Sequence, residues 1–188
     1  MPDDKTYPGA GRFVPGDDAS LAAVAKAAQD CQGCDLYERA TQTVFGRGSP
    51  RAAVVLIGEQ PGDMEDRAGE PFVGPAGKLL DRALEEAGIS PDVTYVTNAV
   101  KHFRWKPEPH GRKRRIHQPP EAWHMQACWP WLAAELSRLE PRVLVTLGAT
   151  AGRARVRVAR AALNAHAKII GAATLVIADY LAAPLHAG

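Results

Sequence analysis

Hydrophobic and polar positions along this 188-residue chain fall into blocks whose period switches between strand and helix. Ala53-Val54-Val55-Leu56-Ile57 is a continuous apolar run, which reads as a buried strand. Val93 to Thr97 and Arg142 to Leu147 read as two more strands, and Ala172 to Ala178 as a fourth. Between them the spacing becomes helical. Pro75 to Ala87 sets Leu79, Leu80, Ala83, Leu84 and Ala87 on one face and stops at Gly88. Pro119-Pro120 opens a second helix with Trp123, Ala127, Trp131, Leu132 and Leu136 on its face. A short helix is predicted over 19–30, and another from the Gly148-Ala149-Thr150 turn to about Asn164. This alternation predicts an α/β fold, a small parallel sheet flanked by helices on both faces. Residues 1–18 are rich in Gly, Pro and Asp and lack a period, so they are expected to be a disordered tail before one domain over 19–188.

Composition narrows the class. At 46% hydrophobic the chain can bury one substantial core. The start Met-Pro-Asp-Asp-Lys is no signal peptide and no apolar run is long enough to span a bilayer, so a cytoplasmic monomer without membrane attachment is expected. In that compartment three cysteines point to metal binding or plain burial rather than disulfides. The net charge of +2 conceals a patch: Lys101 to His117 holds seven Lys and Arg against Glu108 alone, which suggests a polyanionic partner.

The chemistry concentrates after the first strand. Gly58-Glu59-Gln60-Pro61-Gly62-Asp63 through Gly77-Lys78 forms a long Gly/Pro-punctuated connection at a strand's carboxyl end, where open α/β sheets bind ligands. Gly77-Lys78 is not a P-loop, because Leu79 stands where the magnesium-binding hydroxyl must be. No Gly-x-Gly-x-x-Gly supports a dinucleotide fold. Cys31-x-x-Cys34 follows a helix rather than a strand, which argues against a thioredoxin-like redox pair. With the distant Cys128 it needs a fourth ligand, for which His102 is preferred and His124 competes. In the basic loop, Phe103 and Trp105 are interleaved with charge, as suits stacking and phosphate neutralisation by residues such as Lys113, Arg114 and Arg115. A solvated charged face is the plainer alternative. His117 closes the run, placed to meet a phosphate-bearing substrate.

Taken together, Gly58-Glu59-Gln60-Pro61-Gly62, Pro71-Phe72-Val73-Gly74-Pro75-Ala76-Gly77, Thr97-Asn98-Ala99-Val100-Lys101 and Leu147-Gly148-Ala149 resemble the family 4 uracil-DNA glycosylases. Lys113-Arg114-Arg115-Ile116-His117 resembles the hallmark loop of their UdgX subclass. The resemblance runs from Cys31 to Thr150. It implies the glycosylase three-layer sandwich and a DNA-repair enzyme that acts on uracil in single-stranded DNA or on a flipped base. It also implies a structural iron–sulfur cluster, 4Fe-4S, on Cys31, Cys34, His102 and Cys128. By the same resemblance Phe72 stacks on the uracil, Asn98 reads its edge and the amides around Gln60 hold a carbonyl oxygen. Glu59 and Asp63 serve the sugar side, and His117 attacks the sugar carbon to leave a covalent, single-turnover adduct.

The end of the chain departs from that pattern. Family members close with a strand and a His-Pro-Ser motif, which is absent here. From Pro141 to Ala178 there is no acidic residue, and an Ala/Arg bias sets in after Thr150. A truncated or frame-shifted end is the expectation, with uracil release slower than the central motifs would give. Two rivals to the crosslinking reading are a multiple-turnover glycosylase of the same fold and a non-catalytic nucleic-acid-binding domain held by a zinc or cluster site.

Overall fold

The protein is described by a computed structural model that places residues 6–109 and 114–148 and the backbone of 173–176. Among the described residues, strand β2 (Val54–Gly58) is the middle of a five-stranded sheet ordered β1 (Arg47–Gly48), β3 (Thr94–Asn98), β2, β6 (Val143–Leu147), β7 (Ala173–Val176). Its neighbours β3 and β6 both run parallel to it, in a register that pairs Gly58 with Asn98 and Ile57 with Thr146. The edges differ from the expected all-parallel sheet. β1 pairs antiparallel with β3, and β7 antiparallel with β6. For β1 the cause is chain length: only residues 49–53 separate it from β2, too few for the crossover that a parallel strand needs. The helix expected from Gly148 to about Asn164 lies outside the described residues.

Helix α3 (Pro75–Glu86) carries the chain from β2 to β3, and α4 (Ala122–Leu139) carries it back past β2 to β6. Both crossovers join parallel strands but step in opposite directions, so the right-handed rule sets the two helices on opposite faces of the sheet. Leu132, Leu136 and Leu139 of α4 pack on Val55, Ile57, Tyr95 and Leu144. The frame of that helix is not quite the expected one. Trp123 is 39% exposed and stacks on His124, while Cys128, Trp131 and Glu135 face inward. On α3, Leu79 is 41% exposed.

A second core gathers beside the sheet. Val24 and Ala28 of α1 (Leu21–Ala28) join Phe45, Val100 and Trp131 around Cys31, Cys34 and Cys128. Where a tail was expected, residues 6–18 are attached to this core. Ala10 is buried, Gly9 N–H donates to Gly33 O, and the Arg138 guanidinium donates to the carbonyls of Gly16 and Ala19. Backbone carbonyls satisfied by a half-buried guanidinium are not visible to any periodicity. Among the described residues no helix is long and apolar enough to cross a membrane.

Candidate active site and cysteine cluster

The carboxyl ends of β2 and β3 lie side by side. Gly58 sits opposite Asn98, and a side chain there would collide: an added Cβ would run into Asn98 Oδ1 and stand 2.8 Å from Phe72 Cζ. Three residues separated widely in sequence therefore meet at one point. Phe72 holds φ at 58°, a left-handed conformation costly for an aromatic residue and characteristic of functional sites. Gly58→Ala is expected to fold but to lower base release by about 10²-fold, comparable to the loss of one positioned donor. Unchanged single-turnover rates would show that the space between Asn98 and Phe72 is not where the base binds.

The loop after β2 is locked by carboxylates whose roles the sequence did not reveal. Glu65, in α2 (Asp63–Ala68), accepts from Gly62 N–H at 3.0 Å and from Gly74 N–H at 2.9 Å. One side chain thus joins the starts of α2 and α3 and fixes the segment bearing Phe72. Asp66 is fully buried, accepts from Thr41 N–H and pairs with Arg115 Nη1 at 2.6 Å. Val100 N–H donates to Glu59 O at 3.0 Å and Ala99 N–H to Gly58 O at 2.9 Å, which ties the loop to the segment after β3.

The basic segment is a hairpin rather than a loose arm. β4 (Trp105–Pro107) pairs antiparallel with β5 (Arg115–His117), setting Trp105 across from His117. Two clamps fasten it to the β2 loop. Gln60 accepts from Arg104 N–H and donates to the carbonyls of Arg104 and Gln118. Arg115 reaches the carboxylates of Asp63 and Asp66 while lying against the rings of Phe103 and Trp105. The Gln60 side chain is thereby committed to holding the hairpin, and its backbone amide is what remains for a ligand.

Two expected roles change in consequence. Arg115, expected as a phosphate contact, has an 11% exposed side chain engaged by two carboxylates, so it anchors the hairpin instead. Asp63, expected on the sugar side as a positioning or acid–base group, is held as a charged partner. Partial burial pushes its carboxyl up, but hydrogen bonds from Arg67 and Arg115 outweigh this and keep it below the usual range. A carboxylate shared by two guanidiniums is a poor proton carrier. Arg114 is exposed, and Lys113 lies outside the described residues. Arg115→Ala should leave the salt dependence of DNA binding unchanged and cost about 3 kcal/mol through the unpaired Asp66. Arg114→Ala should lower the log–log salt slope by about 1. Binding titrations over a salt series check both, and equal slopes in the two variants would contradict the division of labour.

Glu59 and His117 are left available by these clamps. Among the described residues neither the half-buried Glu59 carboxylate nor the exposed His117 imidazole has a hydrogen-bond partner, and the His117 ring lies 6.0 Å from that of Phe103.

The three cysteines are all buried in one hydrophobic cluster. Burial pushes the Cys34 thiol up to about 11 and the Cys128 thiol up to about 12. Donors nevertheless face the sulfurs: Trp131 Nε1–H to Cys31 at 3.1 Å and Lys101 N–H to Cys128 at 3.3 Å. Burial alone favours the neutral thiols, and these two N–H groups are the donors that would offset it for a thiolate. The two histidines expected to compete as a fourth ligand differ in what each already does. His124 accepts from Glu121 N–H at Nδ1 and donates from Nε2 to Asp35, so both its nitrogens are occupied. His102 is 4% exposed. The Thr43 hydroxyl donates to Ala28 O, so at its 2.9 Å contact with His102 it accepts from Nε2–H, which leaves Nδ1 with a free lone pair. Burial lowers the His102 pKa to about 4, so the imidazole is neutral, the form a metal requires. Among the described residues no group of three or more Cys, His, Asp or Glu side chains is arranged to hold a metal ion.

Sequence comparison places these features in context. Residues 45–185 match the model of the uracil DNA glycosylase superfamily, well past Thr150, where the recognisable motifs stop. A protein of Sulfurisphaera tokodaii named Type-4 uracil-DNA glycosylase is 37% identical over 130 residues, covering 69% of this chain and 54% of its own length. One of the same name from Thermotoga maritima is 38% identical over 131 residues, covering 70% of this chain and 63% of its own. A DNA polymerase of Bacillus phage SP01 is 33% identical over 104 residues, 55% of this chain and 10% of that protein. The chain thus spans between about half and two-thirds of the length of the Type-4 relatives.

Proposed function

Because this chain belongs to the uracil DNA glycosylase superfamily, we propose that it excises uracil from DNA and, as in the UdgX subclass, becomes covalently attached to the abasic sugar through His117. The observation that carries this reading is the doubly clamped hairpin. Gln60 and Arg115 fix the strand bearing His117 against the β2 loop while leaving the imidazole and the Glu59 carboxylate without partners among the described residues. An imidazole that served only to grip DNA would not need a hairpin held this rigidly.

In this mechanism a flipped uridine enters between Phe72, which stacks on the base, and Asn98, whose carboxamide reads its edge. The bond between C1′ and the base nitrogen breaks, and its electron pair leaves with uracil. Amides around Gln60 stabilise the charge that develops on the uracil oxygen. The sugar is left as a cation, beside which the Glu59 carboxylate supplies compensating charge. His117, as neutral imidazole, forms the bond to C1′ and gives its ring proton to Glu59 or water. Asp63 takes part as an anchor for Arg115. Uracil-containing DNA is the partner, contacted by Arg114 and Lys113, and a monomer suffices because every group named lies on one chain.

Cys31, Cys34, His102 and Cys128 would hold the 4Fe-4S cluster. The joint burial of the three thiols, the N–H donors on Cys31 and Cys128 and the neutral His102 imidazole support this reading. Its contribution is structural: it would tie the Cys31–Cys34 segment, the start of the hairpin and α4 together.

A denaturing gel with uracil-containing single-stranded DNA tests the reading. The expected result is a shifted, heat-stable protein–DNA band. Alkali-labile abasic product without that band would instead support the turnover glycosylase, towards which the identity to Type-4 proteins points. Neither product would leave only a nucleic-acid-binding domain.

A further inference from the structure

A buried ion pair that the mechanism above does not use lies against the end of β3 that carries Asn98. Lys101 and Glu135 are both fully buried and meet at 2.5 Å. Lys101 Nζ also donates to Thr97 Oγ1 at 2.6 Å and to Asn98 O at 2.8 Å, so its three protons are all placed. Glu135 accepts in addition from Tyr95 O–H and Thr97 O–H, both at 2.9 Å, and from Gly46 N–H at 3.1 Å. Desolvating two charges in the middle of an apolar helix face is expensive, and a hydrophobic pair would hold a core as well or better. The arrangement therefore calls for a role other than stability.

Asn98 supplies it. The segment after β3 turns away from the sheet, with Ala99 and Val100 N–H bonded to the carbonyls of Gly58 and Glu59. Lys101 folds back on this turn and grips the Asn98 carbonyl, while its own N–H donates to Cys128 Sγ and its carbonyl accepts from Val44 N–H. Resting on the reading of Asn98 given above, we propose that Lys101 is a positioning residue for base release, fixing the Asn98 backbone so that its carboxamide meets the uracil edge and coupling that position to Cys128. Glu135 orients the ammonium, and Thr97, bonded to both, sets its height.

Three proteins separate positioning from simple stability: wild type, Glu135→Gln, and the neutral pair Lys101→Met with Glu135→Gln. Glu135→Gln keeps the ammonium on Asn98 O but leaves the charge poorly paired. It should melt at the lowest temperature of the three and lose less of the uracil-release rate than the neutral pair does. The neutral pair removes the unpaired charge and should recover stability and cluster absorbance. Its single-turnover rate at saturating DNA should nevertheless fall by roughly 10²-fold, the penalty for about 1 Å of misplacement, with the half-saturating DNA concentration within twofold of wild type. Hydrogen exchange at Ala99 and Val100 should be faster in the neutral pair alone, with exchange across Leu132–Leu139 unaltered. Wild-type rates in the neutral pair, or unchanged exchange at Ala99 and Val100, would overturn the proposal. If wild type releases no uracil, the reading of the site fails, and the exchange comparison still decides whether Lys101 holds the Asn98 turn.

Discussion

His117→Ser is expected to abolish the covalent band on uracil-containing DNA while uracil release continues, giving alkali-labile abasic product that accumulates over several turnovers. The magnitude follows from pre-positioning. An imidazole held against a cationic sugar carbon outcompetes water because its translational entropy has already been lost, an advantage of up to ~7–11 kcal/mol. Serine is smaller and opens space for water at the same carbon. The hairpin itself should persist, because its clamps run through Gln60 and Arg115 rather than the His117 ring. If His117 acted only as a DNA-gripping cation, the substitution would weaken binding without changing the product, as Arg114→Ala should. Gel analysis of product type against enzyme-to-substrate ratio distinguishes the two.

Cys128→Ala should be the most damaging single change for the fold. Cys128 lies in α4 between the sheet core and the cysteine core, and its sulfur accepts from Lys101 N–H. Removing it would take away one cluster ligand, leave that amide without its acceptor and loosen the turn that carries Asn98. A structural metal supplies folding free energy outright, so cluster loss and unfolding should come together. The measurement is iron and inorganic sulfide content alongside a thermal melt in anaerobically prepared protein. The wild type should be brown with both elements present, and the variant colourless with a collapsed transition. Stoichiometric zinc without iron or sulfide in the wild type would contradict the cluster assignment, and a folded, colourless Cys128→Ala protein would show that the site does not support the fold.

The central strands and helices were legible because their signals are local and repeated. Val54 to Ile57 is an unbroken apolar run, and Pro75 and Pro120 mark helix starts that the structure places at Pro75 and Ala122. Gly58, Phe72 and Asn98 could be singled out because Gly/Pro punctuation and strand ends mark ligand loops, and the fold brings all three together. The connections that organise the site were not legible. Arg115 looks like any arginine in a basic run until Asp63 and Asp66, about 50 positions away, arrive beside it. An i, i+3 pair of acids on a short helix was the only sequence signal available. Glu65, Lys101 and Glu135 look like surface charges, since burial of an ion pair depends on contacts between residues 34 apart. The antiparallel edges escaped for the same reason: strand direction at β7 depends on the path of the chain, and periodicity reports only its alternation.

Mass spectrometry of the peptide recovered after nuclease and protease digestion of the crosslinked complex shows which residue forms the bond to the sugar. A deoxyribose-phosphate adduct on His117, in the peptide that spans the end of the hairpin, is expected. An adduct on Glu59, Asp63 or any other residue would contradict the bond to His117, even if crosslinking to uracil-containing DNA were efficient.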